Sequence, residues 1–287
     1  MRALFCVFSG TGNTLRVSER LAGELRSSGV QTDMYNIREG ADMPEINGYE
    51  MLLIGYPVHA FNAPASVLTF LKKLPQAENV PAYIIRTSGE PLKLNDASGI
   101  TPCRILKNRG YAVRGEYAFV MPYNIIFRHS DKMAARMWNA AEMRIKYAAA
   151  EIVKGEGKIA KVNVFQRFVS FVLRIEHTAM PFIGRRFSVK KTCVGCGICA
   201  GECPQNNIKM QDGKPKFGKN CVGCMACSFV CPHDAVKIAI LNKWRVNGKY
   251  SFEGKPATDD EVCDYCKKAY LKYFDESENI VIIDKAR

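Results

Sequence analysis

The 287-residue sequence predicts an α/β fold: a doubly wound, parallel five-stranded sheet followed by a small, cysteine-rich α+β domain. Three observations support this prediction. Short apolar runs alternate with helical patterns over about the first 155 residues, which is typical of a parallel sheet covered by helices on both faces. Eight of the twelve cysteines lie between positions 193 and 231. They form two copies of one pattern, as expected of a short domain whose folding depends on the metal that it binds.

Strands and helices of the first domain alternate, except that no helix is predicted between the second and third strands. Strands are predicted at 2–8, 31–36, 50–56, 80–86 and 111–120, and helices at 14–28, 64–73, 97–108 and 130–154. In such a sheet the ligand lies at the carboxyl ends of the strands, where the loops are. We therefore expect the binding residues of this domain in those loops.

Composition and charge exclude several classes of protein. With 47% hydrophobic and 24% charged residues, the chain is neither disordered nor collagen-like nor a coiled coil. The formal net charge of +13 is not accompanied by a basic run interleaved with aromatic residues, so no nucleic-acid binding is expected. The basic charge instead predicts acidic partner proteins.

The expected location is the cytoplasm. The N-terminus lacks the apolar core and cleavage site of a signal peptide, and dense thiols that serve as metal ligands fit a reducing compartment. The longest uncharged stretch, 51–71, contains two prolines and a histidine and is not expected to span a membrane.

Changes of pattern divide the chain into four parts. We expect an α/β domain at 1–155, a basic amphipathic linker helix at 156–186, a cysteine-rich domain at 187–240 and a C-terminal extension at 241–287. In the linker, residues 162–176 place their polar side chains on one narrow stripe, so a helix here must bury a broad apolar face. The favoured partner for that face is the protein's own domains. A second subunit and a membrane surface are the alternatives, the latter because arginines border the polar stripe.

The cysteine repeat predicts two iron–sulfur clusters. A Cys-x2-Cys-x2-Cys run holds three thiolates on one loop, and the fourth cysteine, which precedes a proline, can reach the cluster of the other copy. Zinc is the alternative, but it has no use for a third evenly spaced thiolate. The predicted ligands of the first 4Fe-4S cluster are Cys193, Cys196, Cys199 and Cys231, and those of the second are Cys221, Cys224, Cys227 and Cys203.

The loop Ser9-Gly10-Thr11-Gly12-Asn13-Thr14 separates the first strand from the first helix. Three hydroxyl groups and a helix N-terminus form a cradle for a phosphate. Neither a nucleoside-triphosphate loop with its lysine nor a dinucleotide fingerprint is present, so a monophosphate ligand fits better. The alternative is a loop that only caps the helix.

This loop resembles that of the flavodoxins, whose Ser/Thr-x-Thr-Gly-x-Thr pattern is met here. The resemblance implies that the loop binds the FMN phosphate and that the loops after the third and fourth strands flank the flavin ring, with Tyr56, His59 or Phe61 able to stack on it. His59 is either a proton donor near the flavin or a surface residue. The residues assigned to FMN are Ser9, Gly10, Thr11, Gly12, Asn13, Thr14, Tyr56, Pro57, Val58, His59, Phe61, Thr87, Ser88 and Gly89.

Residues 187–240 resemble the bacterial two-cluster ferredoxins, with every ligand position filled. Over its length the sequence is similar to the flavodoxin–ferredoxin fusion family, which implies a flavodoxin-like sheet plus a two-cluster ferredoxin-like domain. The segments 88–96 and 121–124 support this narrower match. The resemblance implies one-electron transfer at low potential.

Three functions are compatible with this organisation. A flavin takes two electrons together or releases them singly, whereas each cluster passes one, so the first hypothesis is a carrier between FMN, two 4Fe-4S clusters and an acidic redox partner protein. The second is an FMN-dependent reductase of a small organic acceptor such as a quinone or nitro compound. The third is an iron–sulfur scaffold or regulator without flavin. No catalytic constellation assigns a specific reaction.

A further pair, Cys263 and Cys266, is predicted to lie on a helix. The two thiols could form a redox dithiol or half of a metal site shared with another chain. Because no second pair and no histidine accompany them, a purely structural role is favoured.

Overall fold

The computed structural model describes residues 1–285, and their side chains as far as residue 280. Its first domain is a parallel five-stranded sheet of the flavodoxin-like order β2-β1-β3-β4-β5, which confirms the predicted fold class. The order reverses between β1 and β3, so the loops after these two strands diverge and leave a crevice. The strands are β1 (Arg2–Val7), β2 (Gln31–Asn36), β3 (Met51–Pro57), β4 (Pro81–Ser88) and β5 (Ala112–Val120).

Four helices cover the sheet, two on each face. Helices α1 (Asn13–Ser27) and α4 (Asp131–Val153) share one core with the sheet, and α2 (Ala65–Lys73) and α3 (Ile100–Asn108) share the other. Because β1, β3 and β4 are buried on both faces, their sequences are almost continuously apolar. The helix predicted at 97–108 begins as a 3-10 turn, Lys93–Gly99, and becomes α-helical only at α3.

The linker forms two helices instead of the single predicted one, α5 (Val164–Leu173) and α6 (Glu176–Arg185). The expectation that its apolar face packs on the protein's own domains is wrong. Gln166 and Ser170, from the polar stripe, are buried, while Phe168 and Phe171 are exposed. The polar side chains turn inward because backbone and side-chain partners for their hydrogen bonds lie on the first domain.

The cysteine-rich part repeats one strand, loop and short helix pattern. It contains β6 (Ser188–Val189), α7 (Ile198–Gly201), β7 (Ile208–Gln211), β8 (Lys214–Phe217), α8 (Ala226–Phe229) and β9 (Val236–Lys237). Strand β6 pairs with β9 and β7 with β8, both antiparallel. The outer strands of the two copies thus close on each other around one small core.

The C-terminal extension returns to the first domain. After a 3-10 turn, Ala239–Trp244, the described part of the chain closes with helix α9 (Lys267–Lys285), which packs along α4. Arg144 on α4 donates to the Ser277 hydroxyl on α9 at 2.7 Å. Cys263 and Cys266 lie in the turns before α9 rather than on a helix, so that prediction is wrong; Cys266 has a left-handed backbone with φ 56°.

None of the helices within residues 1–285 combines the length and the apolar character needed to cross a bilayer.

Candidate functional site

A cavity of about 530 Å³ lies at the carboxyl edge of the sheet, at the crevice between β1 and β3. Its walls come from the loops after β1, β3, β4 and β5, from helices α5 and α6, and from the second cysteine loop. A volume of this size is in the usual range for a small-molecule or cofactor site, which is roughly 300–1,000 Å³. The topology has therefore brought together segments that are far apart in the sequence.

Most of the residues that sequence reasoning assigned to the flavin line this cavity. Gly12 and Tyr56 are the exceptions. Tyr56 is fully buried in the core and donates its hydroxyl to the Ser98 carbonyl oxygen at 3.2 Å, so it cannot stack on a ligand in the cavity. The assigned residues in the wall are Ser9, Gly10, Thr11, Asn13, Thr14, Pro57, Val58, His59, Phe61, Thr87, Ser88 and Gly89.

The phosphate loop leads directly into α1. Gly12 is the N-cap of α1, with φ 94°, and has no side chain that could cap the helix; Ser9 Oγ accepts from the Leu15 amide at 3.3 Å. The first turn carries no acidic residue. A helix N-terminus without a carboxylate favours an anion. The Thr14 hydroxyl is hydrogen-bonded to the Thr87 hydroxyl at 2.7 Å, which joins the first turn of α1 to the end of β4.

A fourth loop, 121–126 after β5, completes the cavity and was not assigned to it from the sequence. Its Tyr123 donates to the buried carboxylate of Glu90 and stacks on His129 with ring centroids 5.3 Å apart. A Cβ atom on Gly89 would lie 2.0 Å from Cε1 of Tyr123, so only glycine fits beside this ring. The position of the loop at the carboxyl end of the fifth strand was the signal that could have found it.

Two titratable side chains meet in the cavity wall. His59 Nδ1 lies 3.7 Å from Glu176 Oε1, and the His59 side chain is only 10% exposed. Burial lowers the pKa of His59 to about 4, and burial raises the pKa of Glu176 to about 7. Both groups are therefore neutral between these values. His59 is a wall residue rather than a surface residue, and Glu176 was not identified from the sequence because it lies in the linker.

The eight clustered cysteines are coupled electrostatically in two sets. After burial, the charges that raise the pKa of Cys199 are those of Cys231, Cys196 and Cys193. For Cys227 they are chiefly those of Cys224, Cys221 and Cys203. Each group thus contains the fourth cysteine of the other copy. Among the described residues, no group of three or more His, Cys, Asp or Glu side chains has the arrangement needed to hold a single metal ion.

The cysteine loops expose backbone amides to the sulfurs. The Asn207 amide donates to Cys203 Sγ at 3.4 Å, and the Ala235 amide donates to Cys231 Sγ at 3.2 Å. Such hydrogen bonds tune the potential of iron–sulfur clusters. Met225 has φ 60°, the left-handed backbone that Gly197 adopts at the matching position of the first copy.

The second cysteine loop also forms part of the cavity. Gly223 and Met225 line it, and Cys224 between them contacts the phosphate loop. Asn124 joins both loops by donating to the Thr11 hydroxyl at 3.2 Å and to the Cys224 carbonyl oxygen at 3.3 Å. The predicted phosphate site and the predicted second cluster are therefore direct neighbours.

Two family models match the chain. The model for flavodoxin domains matches residues 4–93, and the model for 4Fe-4S dicluster domains matches residues 192–235. The chain is a flavodoxin–ferredoxin fusion. The fusion is an electron-transfer redox protein, since its flavodoxin domain implies FMN and its dicluster domain implies iron–sulfur clusters.

Solved flavodoxins resemble part of the fusion. A flavodoxin from Streptococcus pneumoniae TIGR4 is 14% identical, with 54% of this chain and 99% of that chain covered and a TM-score of 0.42. Oxidised flavodoxin 1 from Bacillus cereus is 14% identical, with coverages of 54% and 98% and a TM-score of 0.43. An archaeal flavodoxin is 12% identical, with coverages of 53% and 99% and a TM-score of 0.35. No curated protein matches the chain.

Proposed function

We propose that the fusion carries electrons between FMN in the cavity and two 4Fe-4S clusters, and passes them to a partner protein. One observation carries this proposal: the cavity wall includes Gly223 and Met225 of the second cysteine loop, so the flavin site and a cluster site share a boundary. FMN exchanges electrons in pairs or singly, which suits a centre placed beside one-electron clusters.

The residues present fit the groups that we assign to them. The N-terminus of α1, with the Ser9 and Thr11 hydroxyls in the cavity wall, supplies donors for a phosphate. Each cluster would be held by three cysteines of one loop and the fourth of the other copy, which makes two clusters. The first is assigned to Cys193, Cys196, Cys199 and Cys231, and the second to Cys221, Cys224, Cys227 and Cys203.

The burial of the cysteines supports a spatial order for FMN and the two clusters. In the second group Cys224, Cys227 and Cys203 are buried, Cys221 is half-buried, and Cys224 contacts the phosphate loop of the cavity; in the first group only Cys199 is buried. In the first group Cys196 is exposed, and its neighbour Val194 is 62% exposed. We therefore place the second cluster next to FMN and the first cluster at the surface where a partner docks.

The surface around the first cluster supports an acidic partner. Lys191 and Lys214 are exposed, and Lys214 donates its ammonium group to the Cys193 carbonyl oxygen at 2.5 Å. Basic side chains beside an exposed cluster attract acidic proteins and accelerate their association at low salt. A reducing cytoplasmic compartment is the setting that we propose, because these thiols must stay reduced to bind iron.

A redox titration of the anaerobically purified protein tests the proposal. We expect one FMN and about eight iron atoms per chain. Optical and spin-resonance spectra should show that flavin and clusters exchange electrons without any partner. A protein without FMN would contradict the proposal. So would a flavin that stays oxidised at potentials low enough to reduce it, while the clusters in the same protein are fully reduced.

A second candidate, a reductase of a small organic acceptor, is favoured by the shape of the cavity. Beyond the flavodoxin loops, the cavity extends along Leu173 and Ile175 of the linker, and Ile175 is 67% exposed. A small acceptor could enter there. Rapid multiple turnover of quinones or nitro compounds by the reduced protein alone would favour this candidate over the carrier.

A further inference from the structure

Helix α5 is amphipathic with its polar side inward, whereas α6 buries Met180 and Gly184. Their outward side carries seven apolar residues, which we call the Phe face. Four of them are phenylalanines: Phe165, Phe168, Phe171 and Phe182 are 68%, 63%, 69% and 71% exposed. The other members are Val164, Val172 and Ile175. Soluble monomers rarely expose contiguous apolar patches of this kind unless the patch binds something.

Hydrogen bonds fix this orientation. Gln166 donates to the Lys93 carbonyl oxygen at 2.5 Å, and the Ser170 hydroxyl donates to Asn62 Oδ1 at 2.9 Å. Asn163 and Gln166 also form a capping box at the start of α5. Turning the phenylalanines inward would break these bonds and leave buried polar groups without partners. The fold thus holds the Phe face outward.

The charge around the Phe face indicates what covers it. Residues 156–190 contain seven Lys and Arg and only two Glu. One of these, Glu176, lies in the cavity wall and does not offset the charge at the surface. Two of the seven cations are bound to other parts of the fold, and Arg167, Arg185 and Arg186 are exposed on or beside the two helices. Phenylalanines on one face with arginines and lysines around them are typical of helices that lie in the interface of an anionic bilayer.

A second copy of the chain is a poorer occupant. Pairing two Phe faces would bring two strongly basic segments together, and like charges across an interface are unfavourable. A bilayer that contains anionic lipids offers both an apolar phase and the opposite charge.

Neighbouring residues extend the same surface. The 3-10 turn Ala239–Trp244 follows the second cysteine repeat, and its Ile240 and Trp244 are 76% and 43% exposed. Lys243 lies over the Trp244 ring at 5.6 Å. Tryptophan beside a cation is common at the headgroup level of membranes. This turn packs against α6, so it enlarges the surface formed by the two helices.

We propose that α5 and α6 seat the protein on the surface of an anionic lipid bilayer, with the Phe face among the acyl chains. Ile175 belongs both to the Phe face and to the cavity wall, so the mouth of the cavity would border the lipid. This inference does not depend on the proposed electron path, since lipid binding and electron transfer are measured separately.

Flotation of the full cofactor-loaded protein with vesicles tests the proposal. We expect binding to phosphatidylcholine vesicles that contain phosphatidylglycerol, much weaker binding to pure phosphatidylcholine, and a decline with salt. Replacing Phe168→Ser together with Phe171→Ser should weaken binding at least about tenfold. The matched control, Met43→Ser with Val153→Ser, removes two exposed apolar residues outside the linker and should leave binding unchanged.

A second pair of variants tests the charge. Arg185→Gln with Arg186→Gln should weaken binding to anionic vesicles about tenfold, whereas Lys72→Gln with Lys73→Gln removes the same charge from α2 and should have little effect. Unchanged iron and flavin contents would show that the variants are folded.

Three results would overturn the proposal. The first is a folded protein that binds neither kind of vesicle. The second is a dimer that the two Phe→Ser substitutions convert to a monomer, which would assign the face to a second copy. The third is vesicle binding that the Phe variant retains in full.

Discussion

Gly10 of the phosphate loop and Cys224 of the second cysteine loop are in contact across the two domains. A Cβ atom on Gly10 would lie 2.7 Å from both the Cβ atom and the carbonyl oxygen of Cys224, and 3.2 Å from its Sγ. No side chain fits between the two loops. The absence of one at position 10 therefore brings a predicted cluster ligand directly against the predicted flavin site.

We predict that Gly10→Ala separates the two loops. The new methyl group would collide with backbone as well as side chain, so the loops must shift, at a cost of about 1–3 kcal/mol. The expected results are a lower flavin content and slower electron exchange between flavin and clusters, measured by flavin extraction and rapid-mixing spectroscopy.

Gly23→Ala is the matched control for that variant. Gly23 lies in α1, and a Cβ atom there would meet nothing within 4 Å. Alanine should stabilise the helix by up to about 1 kcal/mol and leave electron exchange unchanged. Equal exchange rates in Gly10→Ala and Gly23→Ala would contradict the importance of the contact.

We predict that Cys203→Ser and Cys231→Ser lose the same amount of iron but differ in electron exchange between flavin and iron. Each should lower the iron content from about eight to about four atoms per chain, because one cluster is lost. Cys203→Ser should remove the cluster beside the cavity and so abolish exchange between flavin and iron. Cys231→Ser should remove the surface cluster and preserve that exchange.

Cys263→Ser serves as the control for the ligand assignments. Cys263 packs against the core between α4 and α9, far along the chain from both repeats. We expect the iron content and the spectra of Cys263→Ser to match those of the unaltered protein. Reversed phenotypes for Cys203→Ser and Cys231→Ser would show that the fourth ligands do not cross between the copies.

We predict that Glu176→Gln changes how stability depends on pH. The pKa of Glu176 is raised from 4.5 to about 7, so the fold favours its neutral form. The stability that this provides is fully present below about pH 4.5 and is lost as pH rises through 7. The glutamine variant has no such loss. As pH rises from about 4.5 to 7, its free energy of unfolding should therefore increase relative to that of the unaltered protein, by at most about 3 kcal/mol.

Thermal unfolding of both proteins at pH 5 and pH 8 measures this difference. His59 titrates in both proteins, so its contribution largely cancels. Glu253→Gln, at an exposed position in the C-terminal extension, is the control and should show no pH-dependent gain. A gain for Glu176→Gln that is the same at both pH values would disprove the assigned pKa.

We predict that Asn62→Ala loosens helix α5. Asn62 donates to the Ser170 carbonyl oxygen and accepts from the Ser170 hydroxyl, both at 2.9 Å. Losing these buried bonds should cost about 1–3 kcal/mol of docking energy. Hydrogen exchange of the amides of residues 164–173 should accelerate, whereas the exposed replacement Asn108→Ala should leave it unchanged. Unaltered exchange in Asn62→Ala would mean that other contacts hold the helix.

Much of the first domain could be predicted because its pattern is local. Strands such as β1 and β4 are buried on both faces and read as continuous apolar runs, whatever the rest of the chain does. The 3-10 turn before α3 and the turns around Cys266 were not predicted. Their backbone depends on contacts with distant segments, which a local pattern does not contain.

The site was only partly predictable for the same reason. Residues at or just after strand ends, such as Ser9 and Thr87, were found because the predicted strands define them, but Glu176 and Met225 reach the cavity from the linker and from the second domain. Tyr56 was misplaced because neighbouring residues at a strand end point to opposite sides, and only packing decides which side faces the core.

The sequence by itself determined the parallel sheet, the phosphate loop and the two cysteine repeats, because strand periodicity and thiolate spacing are properties of short segments. Only the tertiary structure decided that the second cysteine loop contacts Gly10 and that the linker turns its phenylalanines outward. Periodicity shows which residues share a face of a helix. Which face turns inward depends on the partners that the rest of the fold provides. Here, hydrogen-bond acceptors on the first domain bind the polar face of α5.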